Sequence, residues 1–380
     1  MTRREPRVGL DLDEVIADRA TGIVVCCGAG GVGKTTTAAA LGLRAAEQGR
    51  TVVVLTIDPA RRLAQSLGLE ALDNTPRTVK GIDEVNGGSL DAMMLDMKQT
   101  FDEVVIAHST PERAQAILDN PFYQSLSSSF SGTQEYMAME KLGQLRAEDR
   151  WDLIIVDTPP SRSALDFLDA PKRLGSFLDG RFIRVLMGSA KTGGRAYLKV
   201  LGAGLGTMTA VLTRVLGAQV LKDLQAFIAA LDTMFGGFRE RADSTFQLLQ
   251  ARGTKFVVVA APERDALREA SYFVERLREE RMPLAGLVLN RVHVTGAASL
   301  SAARAAAGAE TLEEARKHPL ATAILRLHAE RMRMIEREQS LRRRFTAAHP
   351  RVAVVDVAAQ PGDIHDLDGL RVVGAALAGR

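Results

Sequence analysis

Short runs of consecutive apolar, β-branched residues recur along the chain, at Gly22–Cys27, Thr51–Ile57, Leu153–Val156, Phe256–Ala260, Leu284–Leu289 and Val352–Val357. Unbroken runs, rather than apolar–polar alternation, mark strands covered on both faces, as in a parallel sheet flanked by helices. Between the first two runs, Thr35–Gly49 carries apolar positions at helical spacing and ends in glycine, which predicts a helix. Strand, glycine loop, helix and strand in this order form a βαβ unit with a right-handed crossover. The repeated rhythm predicts an α/β fold with a doubly wound, mostly parallel sheet. Two long, strand-poor stretches interrupt it, about 98–148 and 171–252. Both read as helical, and together they predict a helical subdomain inserted into the α/β core. The stretch 171–252 is rich in apolar residues from Phe182 to Phe238. It reads either as ordinary core or as a groove for apolar partners, its flexible methionines suiting the second reading.

Composition narrows the class only modestly. The 380 residues carry 49 Lys+Arg against 46 Asp+Glu, a net charge of +3, with 46% apolar residues. These are globular values that exclude disordered and fibrous classes, and the balance gives no reason to expect nucleic acid. Seven arginines crowd a predicted helical region, about Thr311–Arg344, between Arg326 and Arg344. They form either a solvated basic face or a patch for an acidic partner or membrane surface. The N-terminal segment has basic residues but no apolar stretch after them, which argues against a signal peptide. Val200–Thr213 is uncharged, yet shorter than the roughly 20 apolar residues of a bilayer span. The two cysteines are adjacent, Cys26 and Cys27, a poor geometry for a mutual disulfide. The expectation is a soluble, cytoplasmic protein in a reducing compartment.

The chemistry lies in the first βαβ unit. Gly28-Ala-Gly-Gly-Val-Gly33-Lys34-Thr35 matches the phosphate-loop pattern G-x-x-x-x-G-K-[ST], with a strand before it and a helix after it. Glycines let successive N–H groups turn inward toward phosphate oxygens, and the helix N-terminus adds partial positive charge. Gly28, Gly30, Gly31, Val32, Gly33, Lys34, Thr35 and Thr36 are therefore the expected nucleotide cradle. Lys34 is expected to bridge the β- and γ-phosphates and Thr35 to ligate Mg²⁺. The apolar run ending in Asp157 supplies the carboxylate such a metal requires, through water or directly. Asp58, after the second strand, lies at the ligand-binding edge of such sheets and is a candidate to polarise the attacking water. Asp157 before Pro159 and Pro160 otherwise reads as a turn cap.

Together, Gly30-Gly-Val-Gly-Lys-Thr-Thr36, Asp58-Pro-Ala and Asp157-Thr-Pro-Pro resemble the ArsA/Get ATPases, a deviant Walker A class. That family includes arsenite-pump ATPases and the targeting ATPase of tail-anchored membrane proteins. The resemblance runs from about Gly22 to Leu370. Val259-Ala-Ala-Pro262-Glu263 and Leu287-Val-Leu-Asn290 are similar to its adenine-pocket elements, and the segment from Gln360 to Leu367 resembles its last nucleotide-facing loop. Gly132-Thr-Gln-Glu-Tyr-Met-Ala-Met139 fits the bacterial, anion-transporting-ATPase-like branch. The resemblance implies ATP and Mg²⁺ as cofactors, Asp58 as the switch I carboxylate, Asp157 to Pro160 as switch II, and Asn290 and Pro262 beside adenine. It implies a dimer that closes over ATP and reshapes a cargo-facing helical subdomain. The corresponding layout is 20–97 for the phosphate loop and switch I, 98–148 for a helical insertion and 149–170 for Walker B and switch II. An apolar helical subdomain follows at 171–252, with the rest of the core at 253–380.

Three departures shape the functional expectation. Members usually carry a second lysine early in the loop that reaches the partner's nucleotide; here the position is Ala29. The chain is thus expected to hydrolyse slowly alone, to use another cation such as Arg61 or Arg62, or to work beside a lysine-bearing paralogue. The metalloid-binding branch uses separated cysteines, and the eukaryotic targeting branch clasps zinc between Cys-x-x-Cys pairs; neither pattern occurs. No structural zinc is expected. Three readings stand: an ATP-hydrolysing dimeric switch for a hydrophobic or membrane-associated cargo, a catalytically weak regulatory subunit of a hetero-oligomer, or the energising subunit of an anion or metalloid efflux pump. Guanine recognition is not expected, because Thr254-Lys-Phe-Val lacks the required Asp.

Overall fold

A computed structural model describes residues 9–57, 62–121, 123–124, 133–159, 240–316 and 318–379. Eight strands occur among them: β1 (Ile23–Cys27), β2 (Thr51–Thr56), β3 (Arg77–Thr78), β4 (Ser89–Met94), β5 (Leu153–Asp157), β6 (Thr254–Ala260), β7 (Leu284–Val292) and β8 (Val354–Ala358). The helices are α1 (Leu12–Ala17), α2 (Lys34–Glu47), α3 (Arg62–Ser66), α4 (Met97–Ala107), α5 (Pro111–Leu118), α6 (Thr133–Ala147), α7 (Arg264–Glu279), α8 (Ala302–Glu314), α9 (Pro319–Ala348) and α10 (Leu367–Leu377). The strands form one sheet in the order β3-β4-β2-β5-β1-β6-β7-β8, parallel throughout except for the β3–β4 pair. This is the α/β, mostly parallel architecture that the apolar runs imply.

The central strands β1 and β5 are buried along their whole length. Their valines and isoleucines suit a pleated surface covered on both sides, and each buried side chain of this size contributes roughly 1.5–3 kcal/mol. One cover is α2, whose small side chains let it lie close to the sheet. A Cβ at its Gly42 would stand 2.6 Å from a Val54 methyl group. The register aligns Cys26 with Asp157 and Asp157 with Thr56. The carboxyl ends of β1, β2 and β5 thereby converge at one edge, where ligands bind in open α/β sheets.

The opposite end is tied by Arg50, of which only 1% is exposed. Its guanidinium donates to the carbonyls of Ile16, Asp18, Thr21 and Asp152 and to the Asp152 carboxylate. Burial of this charge is tolerable because its donors are matched by acceptors.

Strand β4 and the short β3 lie outside the expected set of apolar runs. Ser89-Leu-Asp-Ala-Met-Met carries an acid at its centre. Asp91 is nonetheless 4% exposed. It accepts hydrogen bonds from Thr78 Oγ1 (2.7 Å), Arg150 (2.8 Å) and Trp151 Nε1 (3.0 Å). The basic helical region also differs from the expected single segment. It is two helices, α8 and α9, separated at His318, which adopts a left-handed φ of 54° just before Pro319. Pro319 at the start of α9 is well placed, since its missing N–H would have no helical partner there.

The chain divides into two compact units, Met1–Met94 with Glu148–Leu165 and Leu248–Arg380, and Leu95–Ala147 with Asp166–Gln247. The first holds the sheet. The second, where described, is helical: α4, α5, α6 and residues 240–247. Inside it, buried Glu140 accepts from Arg241 Nε (2.9 Å) and Tyr136 Oη (3.2 Å), and Lys141 pairs with Glu103 at 2.6 Å. Residues 160–239, including the whole apolar stretch Phe182–Phe238 and with it Val200–Thr213, lie outside the described residues. No described helix is long and apolar enough to cross a membrane.

Candidate functional site

The loop between β1 and α2 has a shape that its glycines make possible. Gly28 has φ 151°, and a Cβ there would lie 2.1 Å from the Val259 carbonyl oxygen of the neighbouring β6. Gly33 has φ 96°, and its Cβ would lie 2.2 Å from Asn290 Nδ2. Both positions exclude any side chain, by backbone conformation and by contact. Gly30 and Gly31 are exposed, Ala29 and Val32 are buried, and Thr35 and Thr36 are half-buried. α2 begins at Lys34, so the first-turn N–H groups and the positive end of the helix dipole open onto the loop. Lys34 is 6% exposed and its Nζ donates to the Ala29 carbonyl at 2.8 Å. It therefore folds back over the loop, on the side a phosphate would occupy.

Thr35 and Asp157 meet directly, the Thr35 hydroxyl donating to Asp157 Oδ2 at 2.7 Å. Thr56 Oγ1 donates to the same oxygen at 3.0 Å. Asp157 is wholly buried. The backbone around it is fixed from both sides: Ile57 N donates to the Asp157 carbonyl at 2.9 Å, and Thr158 Oγ1 donates to the Cys26 carbonyl at 2.9 Å. A hydroxyl and a carboxylate at the foot of a phosphate loop are hard oxygen donors, and this set fits Mg²⁺ rather than a softer metal. Thr158 falls within the Asp157–Pro160 motif, whereas Thr56 belongs to no motif. The signal for Thr56 in the sequence is a polar residue closing the apolar run of β2.

Asn290 lies on β7 where its pairing with β8 is irregular, between Leu289 and Val292. Its Nδ2 donates to the Val32 carbonyl at 2.9 Å, and its Oδ1 accepts from Arg291 N at 2.9 Å. It is thus a brace of the phosphate loop. One amide proton and one acceptor position remain for a ligand. Pro262 is buried just beyond the end of β6, at the same sheet edge. The Gln360–Leu367 loop follows β8 and ends where Asp366 caps α10, accepting from Gly369 N at 2.7 Å. Asp58 and Arg61 lie outside the described residues; Ile57 is the last described residue before them.

Cys26 and Cys27 point into the core beneath the loop and are fully buried. Burial pushes the Cys27 thiol up to about 12, against a smaller opposing pull from Lys34. Burial, with the nearby Asp157 charge, raises Cys26 well above its ordinary value. Both stay protonated thiols at neutral pH, poor nucleophiles and poor metalloid ligands. Because the folded values are raised, their effect on stability is fully present below the unfolded thiol range. It is lost as pH rises from about 9 toward 12. Iodoacetamide at pH 8 is expected to modify neither cysteine in the native protein and both in guanidinium, as read by intact mass. Rapid native modification would contradict this burial.

The sequence profile of the anion-transporting ATPases matches residues 21–318. The chain belongs to the anion-transporting ATPase family. Among family relatives, an ATPase GET3 of Podospora anserina is 25% identical over 283 residues, covering 74% of this chain and 76% of the relative. An ATPase GET3 of Malassezia globosa is 29% identical over 168 residues, 43% of this chain and 46% of the relative. Protein Rv2184c of Mycobacterium tuberculosis is 32% identical over 164 residues, 40% of this chain and 38% of the relative. The chain therefore spans less than half of two of these three relatives. The family match begins just before β1 and takes in the loop, Asp157 and Asn290.

Proposed function

We propose that this anion-transporting ATPase family member is a Mg²⁺-dependent, dimeric ATP switch that couples nucleotide state to a hydrophobic or membrane-associated partner. The observation that carries the reading is the meeting of Thr35 and Asp157 at 2.7 Å beneath a loop whose Gly28 and Gly33 leave no room for a side chain. Lys34 and the N–H groups of Gly30, Gly31, Val32, Gly33, Lys34, Thr35 and Thr36 would hold the phosphates. Lys34 would exchange the Ala29 carbonyl for phosphate oxygens. Thr35 and Asp157 would hold Mg²⁺, which when bound would supply positive charge against the negative charge of phosphoryl transfer. Asn290 would offer its remaining N–H and lone pair to the adenine edge, with Pro262 against the base. Asp58 would orient and polarise the attacking water.

Dimerisation, an apolar cargo seat within 171–252 and a cytoplasmic site of action are part of the proposal and follow the family likeness. Asp58→Asn is the test. It is expected to leave MgATP affinity within about threefold and to lower turnover about 10²–10⁴-fold, the usual contribution of a positioned general base. Turnover unchanged by this substitution would remove Asp58 from the mechanism.

A second reading is favoured by Ala29. Its side chain is small and buried at 8% exposure, in the loop position where related ATPases place a lysine that acts across the dimer. The chain would then be a catalytically weak subunit of a hetero-oligomer.

A further inference from the structure

Asn290 reaches the phosphate loop where β7 breaks its regular ladder. Arg291 takes a left-handed φ of 61°. Pairing with β8 shifts between Leu289 and Val292, then resumes at Val292 opposite Ala358. In a strand the side-chain period is two, so a one-residue slip to a regular register would turn Asn290 to the other face of the sheet. A non-glycine residue in the left-handed region persists only where its surroundings over-determine it. Something beyond residues 290–291 must hold the irregularity.

The holding group is on α9. Glu338 is 8% exposed, although it is an acid on a helix that is mostly solvated. Its Oε2 accepts from the His293 backbone N–H at 2.9 Å, and its Oε1 accepts from His293 Nδ1 at 2.6 Å. Both oxygens of one carboxylate therefore bind one residue, directly after the irregular stretch. Two further α9 side chains secure the chain beyond it. Arg331 Nε donates to the Val294 carbonyl at 3.0 Å, and His328 Nε2 lies 2.8 Å from the Leu300 carbonyl oxygen. Arg342 pairs with Asp356 at 3.0 Å and so fixes α9 against β8, the other strand of the shifted pair.

We infer that Glu338 is a positioning residue for nucleotide recognition. Its two-point hold on His293 fixes the β7 irregularity that presents Asn290 to Val32, Gly33 and the purine edge. The inference rests on the nucleotide-site reading above and names a further residue for that site. It accounts for a buried acid in a helix whose neighbouring charges are solvated. It also assigns the long helix α9 a role at the sheet edge that carries the loop.

The test is a double-mutant cycle on the full chain, read by equilibrium titration with fluorescent ATP and GTP analogues in Mg²⁺. Glu338→Leu is expected to weaken ATP binding about 10–100-fold, the usual cost of losing a group that orients a ligand-contacting residue. It should also narrow the preference for ATP over GTP. Glu338→Gln, which can still accept from the His293 N–H, should recover most of both. In an Asn290→Ala background, Glu338→Leu should add little, because its effect passes through Asn290. If Glu338→Leu does not fold, His293→Ala, which removes only the ring bond, takes its place in the cycle. Its effect should then likewise vanish on Asn290→Ala. Additive effects, or an unchanged purine preference in a folded variant, would overturn the inference while leaving the nucleotide site intact. A wild-type chain that binds neither nucleotide would overturn the site reading and this inference together.

Discussion

Lys34→Ala is expected to lower ATP turnover by about 10²–10³-fold and to weaken MgATP binding in parallel. Lys34 is buried beside the loop, and in the proposed mechanism its ammonium would offset the negative charge that phosphoryl transfer concentrates there. A preorganised donor in a water-poor site is worth about 3–4 kcal/mol of transition-state stabilisation, which is a loss of this size. The fold should survive, because Lys34 sits at the N-terminus of α2 and its Nζ donates to a loop carbonyl rather than to a group in the sheet core. Circular dichroism and thermal melting, run beside phosphate release, separate lost chemistry from lost structure. Turnover within tenfold of wild type would mean that phosphate charge is met elsewhere.

Ala29→Lys has the opposite expected sign. If the hetero-oligomer reading holds, the chain alone turns over slowly because no cation reaches across to a partner's nucleotide. A lysine restored at position 29 should then raise turnover of the isolated chain. A trans-acting cation contributes about 10³–10⁵-fold where an arginine finger supplies it, which sets the upper limit for this gain. The gain should depend on protein concentration, since the lysine acts on the other subunit's site. Robust turnover by the wild-type chain alone would exclude the weak-subunit reading and favour Arg61, Arg62 or another cation in that role. A lysine-bearing paralogue that stimulates the wild-type chain, but not the Ala29→Lys variant, would support it.

The parallel sheet was legible because its strands are buried on both faces and read as unbroken apolar runs. Val24 and Val25 of β1 and Ile154 and Ile155 of β5 are nearly inaccessible. Strand β4 was illegible for the complementary reason. Asp91 breaks the apolar run, and only the folded chain brings Thr78, Arg150 and Trp151 to it. The break between α8 and α9 turns on His318, whose left-handed conformation has no side-chain signature; Pro319 was the available signal. At the site, the loop motif and the carboxylate ending β5 put Thr35 and Asp157 at one sheet edge, and strand register brings them into contact. The bond from Asn290 to the Val32 carbonyl, and the hold of Glu338 on His293, were out of reach. Both lie beside a local shift of strand pairing that no residue pattern encodes.

Binding of MgATP by this loop underlies every role proposed for its residues. Calorimetric titration of MgATP into the wild-type chain, beside the same titration into Lys34→Ala, measures that directly. Saturable binding to the wild type that weakens at least tenfold both in Lys34→Ala and when EDTA removes Mg²⁺ is the expected result. No saturable binding to the wild type, or equal binding by the two proteins, would contradict the account.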